Sequence, residues 1–270
     1  MKYRFLLFDA DNTLLDFTAC EAKAFAEALK LCGIPQKPGM TEVYSAYNDR
    51  CWKELERGEL TKPQLVVKRY ALFLEHYGID KDPQTVNETY ADCLSKTAIE
   101  LPGAEDLLKR LYGKAKIYII TNGLTKVQKG RFARTGMTEY IEEIFISEQM
   151  GCKKPDALFF SLVAERIPGF CQEQAIVIGD SLTSDIRGAN NGGLDCIWYN
   201  PKGEKKPEDL KITLDARNFE EIYSFLTKEY PVAQQREFSD YLMEVMGLDR
   251  KYCGIAETEH PFTTNFNNRD

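Results

Sequence analysis

Five short apolar runs recur along the chain: YRFLLF (3–8), KIYIIT (116–121), EIFIS (143–147), AIVIG (175–179) and LDCIWY (194–199). They are nearly continuous, whereas a strand that hides one face carries a polar residue at every second position. Such runs predict strands buried on both faces, which requires a parallel sheet with helices packed on each side. Helical patterns fill the intervals, as at 103–112 and 155–166, and SLTSDIRGANNGG (181–193) ends in glycines suited to a helix C-terminus. The expected fold is α/β: a three-layer, Rossmann-like core around a parallel sheet.

One interval breaks the alternation. Between about residues 18 and 101 no strand is expected, and the apolar positions follow helical spacing, with Phe25, Leu29 and Cys32 on one face and Val86, Tyr90, Cys93, Leu94 and Thr97 on another. Residues 18–101 are therefore expected to be an all-helical cap domain inserted into a core made of 1–17 and 102–228, with hinges near 16–18 and 101–103. The segment 229–270 is a C-terminal extension of unassigned role, in which FSDYLMEVMG (238–247) reads as an amphipathic helix.

In an open parallel sheet, ligands bind beyond the C-terminal strand ends, near the point where strand order reverses. The residues following each run therefore matter most. Asp9 and Asp11 follow the first, Thr121, Asn122 and Gly123 the second, and Gly179 and Asp180 the fourth, with Asp185 five residues after Asp180. Lys153 and Lys154 precede Pro155, and the two neighbours cannot both point inward. Adjacent carboxylates repel, and a cation would offset that repulsion. Oxygen ligands with few histidines suggest magnesium, and magnesium beside a lysine makes a site for a phosphate dianion. One carboxylate could attack phosphorus while a second handles the proton. Thr13 is expected to brace the loop.

The order D-x-D-x-T, T-N-G, K-P, G-D-x4-D resembles the haloacid dehalogenase superfamily, in its phosphatase branch with a helical cap inserted after the first motif. FDADNTLLDF, LPGA, AKIYIITNG, RTGM, ISEQMGCKKP and GDSLTSDIRGANNGGL are similar to the bacterial pyrimidine 5′-nucleotidases of that superfamily. The resemblance covers about residues 1–228. It implies Asp9 as nucleophile and Asp11 as general acid/base with its main-chain carbonyl on magnesium. It also implies Thr121 and the Asn122 N–H as phosphate contacts and Lys154 as the cation beside nucleophile and phosphate. Asp180 and Asp185 would complete a magnesium site with Asp9 and Asp11. The implied activity is magnesium-dependent hydrolysis of nucleoside 5′-monophosphates, pyrimidine preferred, through an aspartyl-phosphate. Two further readings keep the same site: a sugar-phosphate phosphatase or phosphomutase, and a non-catalytic binder of phosphorylated ligands.

Composition narrows the alternatives. The net charge is −7 and no basic run stands out, so nucleic acid is not an expected partner. No stretch approaches the ~20 apolar residues of a membrane span, and a cytoplasmic monomer or homodimer acting on a small phosphorylated metabolite is expected. None of the eight cysteines stands in a C-x-x-C pair, and they read as small buried hydrophobes. Gly179 to Leu182 spell the GDSL label of a serine esterase family, but that chemistry needs a histidine partner, and His76 and His260 lack the D-x-x-H context. In the cap, Tyr44, Tyr47 and Trp52 could stack on a base if they face inward.

Overall fold

The computed structural model of the chain describes residues 1–228, so the helix expected at 238–247 lies outside the described residues. The elements run β1 (Phe5–Phe8), α1 (Phe17–Leu31), α2 (Met40–Glu56), α3 (Lys62–Tyr77), α4 (Pro83–Ser95), α5 (Ala104–Leu111) and β2 (Lys116–Thr121). They continue with α6 (Thr125–Phe132), β3 (Glu143–Ile146), α7 (Ser147–Met150), α8 (Ala157–Arg166), β4 (Ala175–Gly179), α9 (Arg187–Asn191), β5 (Asp195–Tyr199), β6 (Leu214–Ala216) and α10 (Phe219–Thr227). The six strands are all parallel, in the order β3-β2-β1-β4-β5-β6.

Burial explains the continuous apolar runs. Leu6 and Phe8 point into a cluster with Leu107, Leu108, Ile119 and Ile178 on one face, while Leu7 and Phe5 join Tyr118, Val177, Phe159 and Phe160 on the other. Each such side chain removed from water contributes roughly 1.5–3 kcal/mol. The five expected strands are present within a residue or two of the apolar runs. The sixth, β6, is only three residues long and its sequence LDA carries no strand signal.

Helices α1 to α4 lie between β1 and α5. Asp16 caps α1 by accepting from the Ala19 N–H at 2.9 Å, and Asp82 caps α4 by accepting from the Thr85 N–H at 2.9 Å. The chain leaves and re-enters the sheet region through two segments that lie side by side: Asp16 N–H donates to Ile99 O at 2.8 Å and Leu101 N–H to Leu14 O at 2.9 Å. The four helices pack an aromatic core of their own, in which Tyr44 stacks on Phe25 at 4.4 Å and on Tyr70 at 4.9 Å. Beside it runs a buried polar network. Arg69 donates through Nη1 to Asn48 Oδ1 at 2.8 Å and through Nη2 to Asn87 Oδ1 at 2.7 Å, and Asn48 donates to Glu21 Oε1 at 2.8 Å.

A stability prediction follows. Arg69→Met strips both asparagine carbonyls of their donor and leaves Glu21 without a cation in its network, so it should destabilise the chain by about 2–5 kcal/mol. Thermal melting checks this, and an unchanged midpoint would show that the network contributes nothing.

Among the described cysteines all are free, and Cys20, Cys51, Cys93 and Cys196 are buried, as small hydrophobes would be. Among the described residues no helix is long and apolar enough to cross a membrane.

Candidate active site

The strand order reverses between β1 and β4, and four loops converge there. Asp9 continues β1, with its N–H donating to Ile178 O of β4 at 2.8 Å. Asp180 follows the end of β4. Parallel pairing in register, Phe8 opposite Ile178, thus delivers two acids to neighbouring positions at one edge.

Lys154 reaches the same point from the loop between α7 and α8. Its side chain is buried, and Nζ donates to Asp9 Oδ1 at 2.6 Å, Asp185 Oδ1 at 2.6 Å and Ile120 O at 2.9 Å. All three ammonium protons are therefore used. Asn122 secures this loop with its side chain, donating to Lys154 O at 2.8 Å and accepting from Lys154 N–H at 3.0 Å. Lys153 turns away, 3.9 Å from Asp156.

Asp185 sits on a π-helical turn, Leu182–Ile186, and its Oδ2 accepts from Ser181 N–H at 3.1 Å. Its approach to β4 is so close that a Cβ on Gly179 would lie 2.4 Å from Asp185 Oδ2, so only glycine fits. Thr13 bridges β1 to β4: its hydroxyl accepts from Asp180 N–H at 3.1 Å and donates to Asp180 Oδ1 at 3.3 Å. Ser181 caps the turn, accepting from Ser184 N–H at 3.2 Å. Among the described residues no histidine lines the cavity above it.

The charges are crowded. One oxygen each from Asp9, Asp180 and Asp185 lie within 4.8 Å of one another. Burial, then repulsion from Asp185 and Asp11, pushes the Asp9 carboxyl up to about 7, even though Lys154 pulls the other way. Burial, Asp9 and Asp185 hold the Asp180 carboxyl well above the usual carboxylate range. Burial alone would lower the Lys154 ammonium, but Asp185 and Asp9 outweigh it and keep it protonated. One lysine does not neutralise three carboxylates. An all-oxygen donor set in excess of its cation fits a hard divalent ion of the magnesium kind.

The Asp11 carboxylate is not part of this trio. It faces α6, where Gln128 Nε2 donates to Oδ2 at 2.6 Å and Arg131 Nη1 donates to Oδ1. Gln128 also donates to Thr121 Oγ1 at 2.9 Å, which in turn accepts from Gly123 N–H at 3.0 Å. Gln128 and Arg131 are fully buried polar residues that sequence reasoning missed. In KVQKGRF they look like the ordinary polar positions of a helix, and no signal in the sequence marks them.

Above these groups lies a cavity of about 360 Å³, walled by the sheet edge on one side and by α2, α3 and α4 on the other. Asn48, Trp52, Lys53, Glu56, Arg69 and Tyr90 line the helical side. The aromatic expectation needs correction. Tyr44 is fully buried in the helical core, Tyr47 packs on His76 at 6.1 Å, and of the three only Trp52 lines the cavity. Tyr90, from α4, lines it as well.

Polar bridges join the helices to the sheet side. Lys62 Nζ donates to Gly123 O at 3.0 Å and Ser147 Oγ at 2.8 Å, Thr183 Oγ1 donates to Glu56 Oε2 at 2.8 Å, and Lys126 pairs with Asp92. Burial pulls the Lys62 ammonium down to about 8, against the opposing effect of Glu148.

Known proteins resemble this arrangement throughout the described residues. A family model for haloacid dehalogenase-like hydrolases matches residues 3–193. The pyrimidine 5′-nucleotidase PynA of Streptococcus pneumoniae is 39% identical over 84% of this chain and 97% of its own. The pyrimidine 5′-nucleotidase YjjG of Escherichia coli is 30% identical over 84% of this chain and 100% of its own. A crystal structure of the HAD-hydrolase YfnB from Bacillus subtilis, bound to magnesium, superposes with a TM-score of 0.80 at 36% identity, covering 84% of this chain and 100% of that one.

A second family model, the carboxypeptidase Taq (M32) metallopeptidase, matches residues 208–270. The first part of that match falls on β6 and α10 of the sheet domain. Zinc peptidase helices of the H-E-x-x-H type place two histidines four residues apart. The two histidines of this chain are His76 and His260, so that pair does not occur here. The parallel sheet, the acids at its reversal point and a family match over most of its length lead to one assignment: the chain belongs to the haloacid dehalogenase-like hydrolases.

Proposed function

We propose that this chain, a phosphoric monoester hydrolase, acts on nucleoside 5′-monophosphates, pyrimidine preferred, through an aspartyl-phosphate on Asp9. The observation that supports it most is the buried Lys154 held between Asp9 and Asp185 at the floor of the cavity. Binding alone does not require a nucleophilic carboxylate beside a second acid.

In the first step an Asp9 oxygen forms a bond to phosphorus as the ester P–O bond breaks. Its electron pair goes to the leaving oxygen, which takes a proton from Asp11. In the second, water attacks phosphorus, Asp11 takes its proton, and the Asp9–phosphorus bond breaks to release phosphate. Lys154 offsets charge on Asp9 and the phosphoryl group, while Thr121 and the Asn122 N–H contact phosphoryl oxygens. Asp9, Asp180 and Asp185, with the Asp11 main-chain carbonyl, would hold magnesium, which supplies Lewis-acid stabilisation of the phosphoryl oxygens. The helices α1 to α4 act as a cap that excludes water from the first step.

The relatives named pyrimidine 5′-nucleotidases support the substrate class. Trp52 offers a flat apolar face to a base, and Tyr90 lines the same cavity. The test is kcat/KM for UMP and dTMP against glucose 6-phosphate, erythrose 4-phosphate and phosphoglycolate. Pyrimidine nucleotides should lead. A sugar phosphate ahead of every nucleotide by roughly tenfold or more, which is what one methylene-sized contact can already supply, would replace the nucleotide reading and leave the phosphatase chemistry in place.

A further inference from the structure

Asp11 is held in an unusual way for a residue that must move protons. Both of its oxygens already have donors, and both donors come from one turn of α6: Arg131 Nη1 on Oδ1 and Gln128 Nε2 on Oδ2. The two donors are also tied to each other, since Arg131 Nη1 donates to Gln128 Oε1 at 3.3 Å. Gln128 further joins Asp11 to Thr121, the phosphate contact proposed above. Two features show room made for this arrangement. A Cβ on Gly123 would lie 2.4 Å from Gln128 Nε2, so the glycine of the T-N-G motif lets that amide reach Asp11. The Arg131 guanidinium lies 5.8 Å from the centre of the Phe17 ring, within cation–π range of it.

Arginine–carboxylate pairs are frequently bidentate. Here one nitrogen makes the contact. Nε and Nη2 are buried without a partner among the described residues, in a side chain that lines the substrate cavity. Two donors on two oxygens fix both torsions of the aspartate. Each oxygen still keeps a second lone pair, where a proton can reside.

We propose that Gln128 and Arg131 are positioning residues that hold the Asp11 carboxyl in line with the leaving-group oxygen. The inference rests on the reading of Asp11 as acid/base. Without the clamp the carboxyl rotates, proton delivery lags behind P–O cleavage, and the leaving oxygen departs with more negative charge. The rate then depends more steeply on how well the leaving group bears that charge.

The experiment uses the full chain and a series of substituted phenyl phosphates running from 4-nitrophenyl to poor leaving groups. It measures kcat/KM, which reports all steps through leaving-group departure. Arg131→Met and Gln128→Met should each lose about 10–100-fold on the poorest leaving group, the range for partners that orient a reacting ligand, and roughly tenfold less on 4-nitrophenyl phosphate. In an Asp11→Asn background, adding Arg131→Met should cost no more than about twofold, because a residue that acts through Asp11 has nothing left to position.

An equal loss across the series, or an undiminished loss in the Asp11→Asn background, overturns the proposal while the phosphatase reading stands. A wild-type chain that releases phosphate from no ester overturns that reading, and this one with it. If Arg131→Met shows no cooperative melt, Gln128→Met, which leaves the buried charge pair in place, decides the question.

Discussion

Asp9→Asn is expected to abolish phosphate release, with a loss of roughly 10⁴-fold or more, the scale seen when a covalent nucleophile is removed. An amide oxygen does not attack phosphorus to give a stable phospho-enzyme, and no neighbouring group can take its place. Asp11 is held by α6, and Asp185 is held by Lys154 and Ser181 N–H. The fold should survive. Asn keeps an oxygen that can accept from Lys154, and Lys154 retains Asp185 and Ile120 O. The change also removes one member of a crowded trio, and burial with repulsion from Asp185 and Asp11 already pushes Asp9 up to about 7. The melting midpoint should therefore stay level or rise while activity disappears. Near-normal turnover in a folded Asp9→Asn chain would mean that the covalent route is wrong.

Chelation is expected to have the second-largest effect. EDTA should silence the enzyme and magnesium should restore it. The basis is the imbalance at the sheet edge: oxygens of three carboxylates within 4.8 Å, against Lys154 as the cation among them. Magnesium favours compact shells at about 2.0–2.1 Å, whereas calcium prefers looser ones at about 2.3–2.6 Å, so calcium should substitute poorly. A readout apart from activity is available. An ion that binds the folded chain and not the unfolded one raises the melting midpoint with concentration. Magnesium should raise it in the wild type, and Asp180→Asn should lose that response. Full activity in EDTA would remove Asp180 from the proposed ligand set.

Much of the sheet was legible because burial on both faces leaves a strong mark. The runs around Leu6, Ile119 and Val177 are nearly continuous apolar stretches, and each leads into a polar residue that serves the site. β6 left no mark because a short edge strand needs few apolar residues. The residues that collect at the reversal point were also legible, since parallel strands in register must deliver their following residues to one edge.

Local sequence alone therefore determined five of the six strands, the layers and the convergence of Asp9, Thr121, Asp180 and Asp185, while the choice of Lys154 over Lys153 came from the family resemblance. It did not determine which way long side chains turn. Tyr44 and Trp52 lie on one helix with similar apolar character, yet one stacks in the helical core and the other lines the cavity, because helix packing rather than composition decides which stripe faces which neighbour. The Arg69 network draws on four helices, and the Asp11 clamp joins residues well over a hundred positions apart. Those contacts are buried polar matches between elements distant in sequence. Hydrophobic periodicity reports how much of a side chain is hidden and carries no information about its hydrogen-bond partner, so only the tertiary structure could supply them.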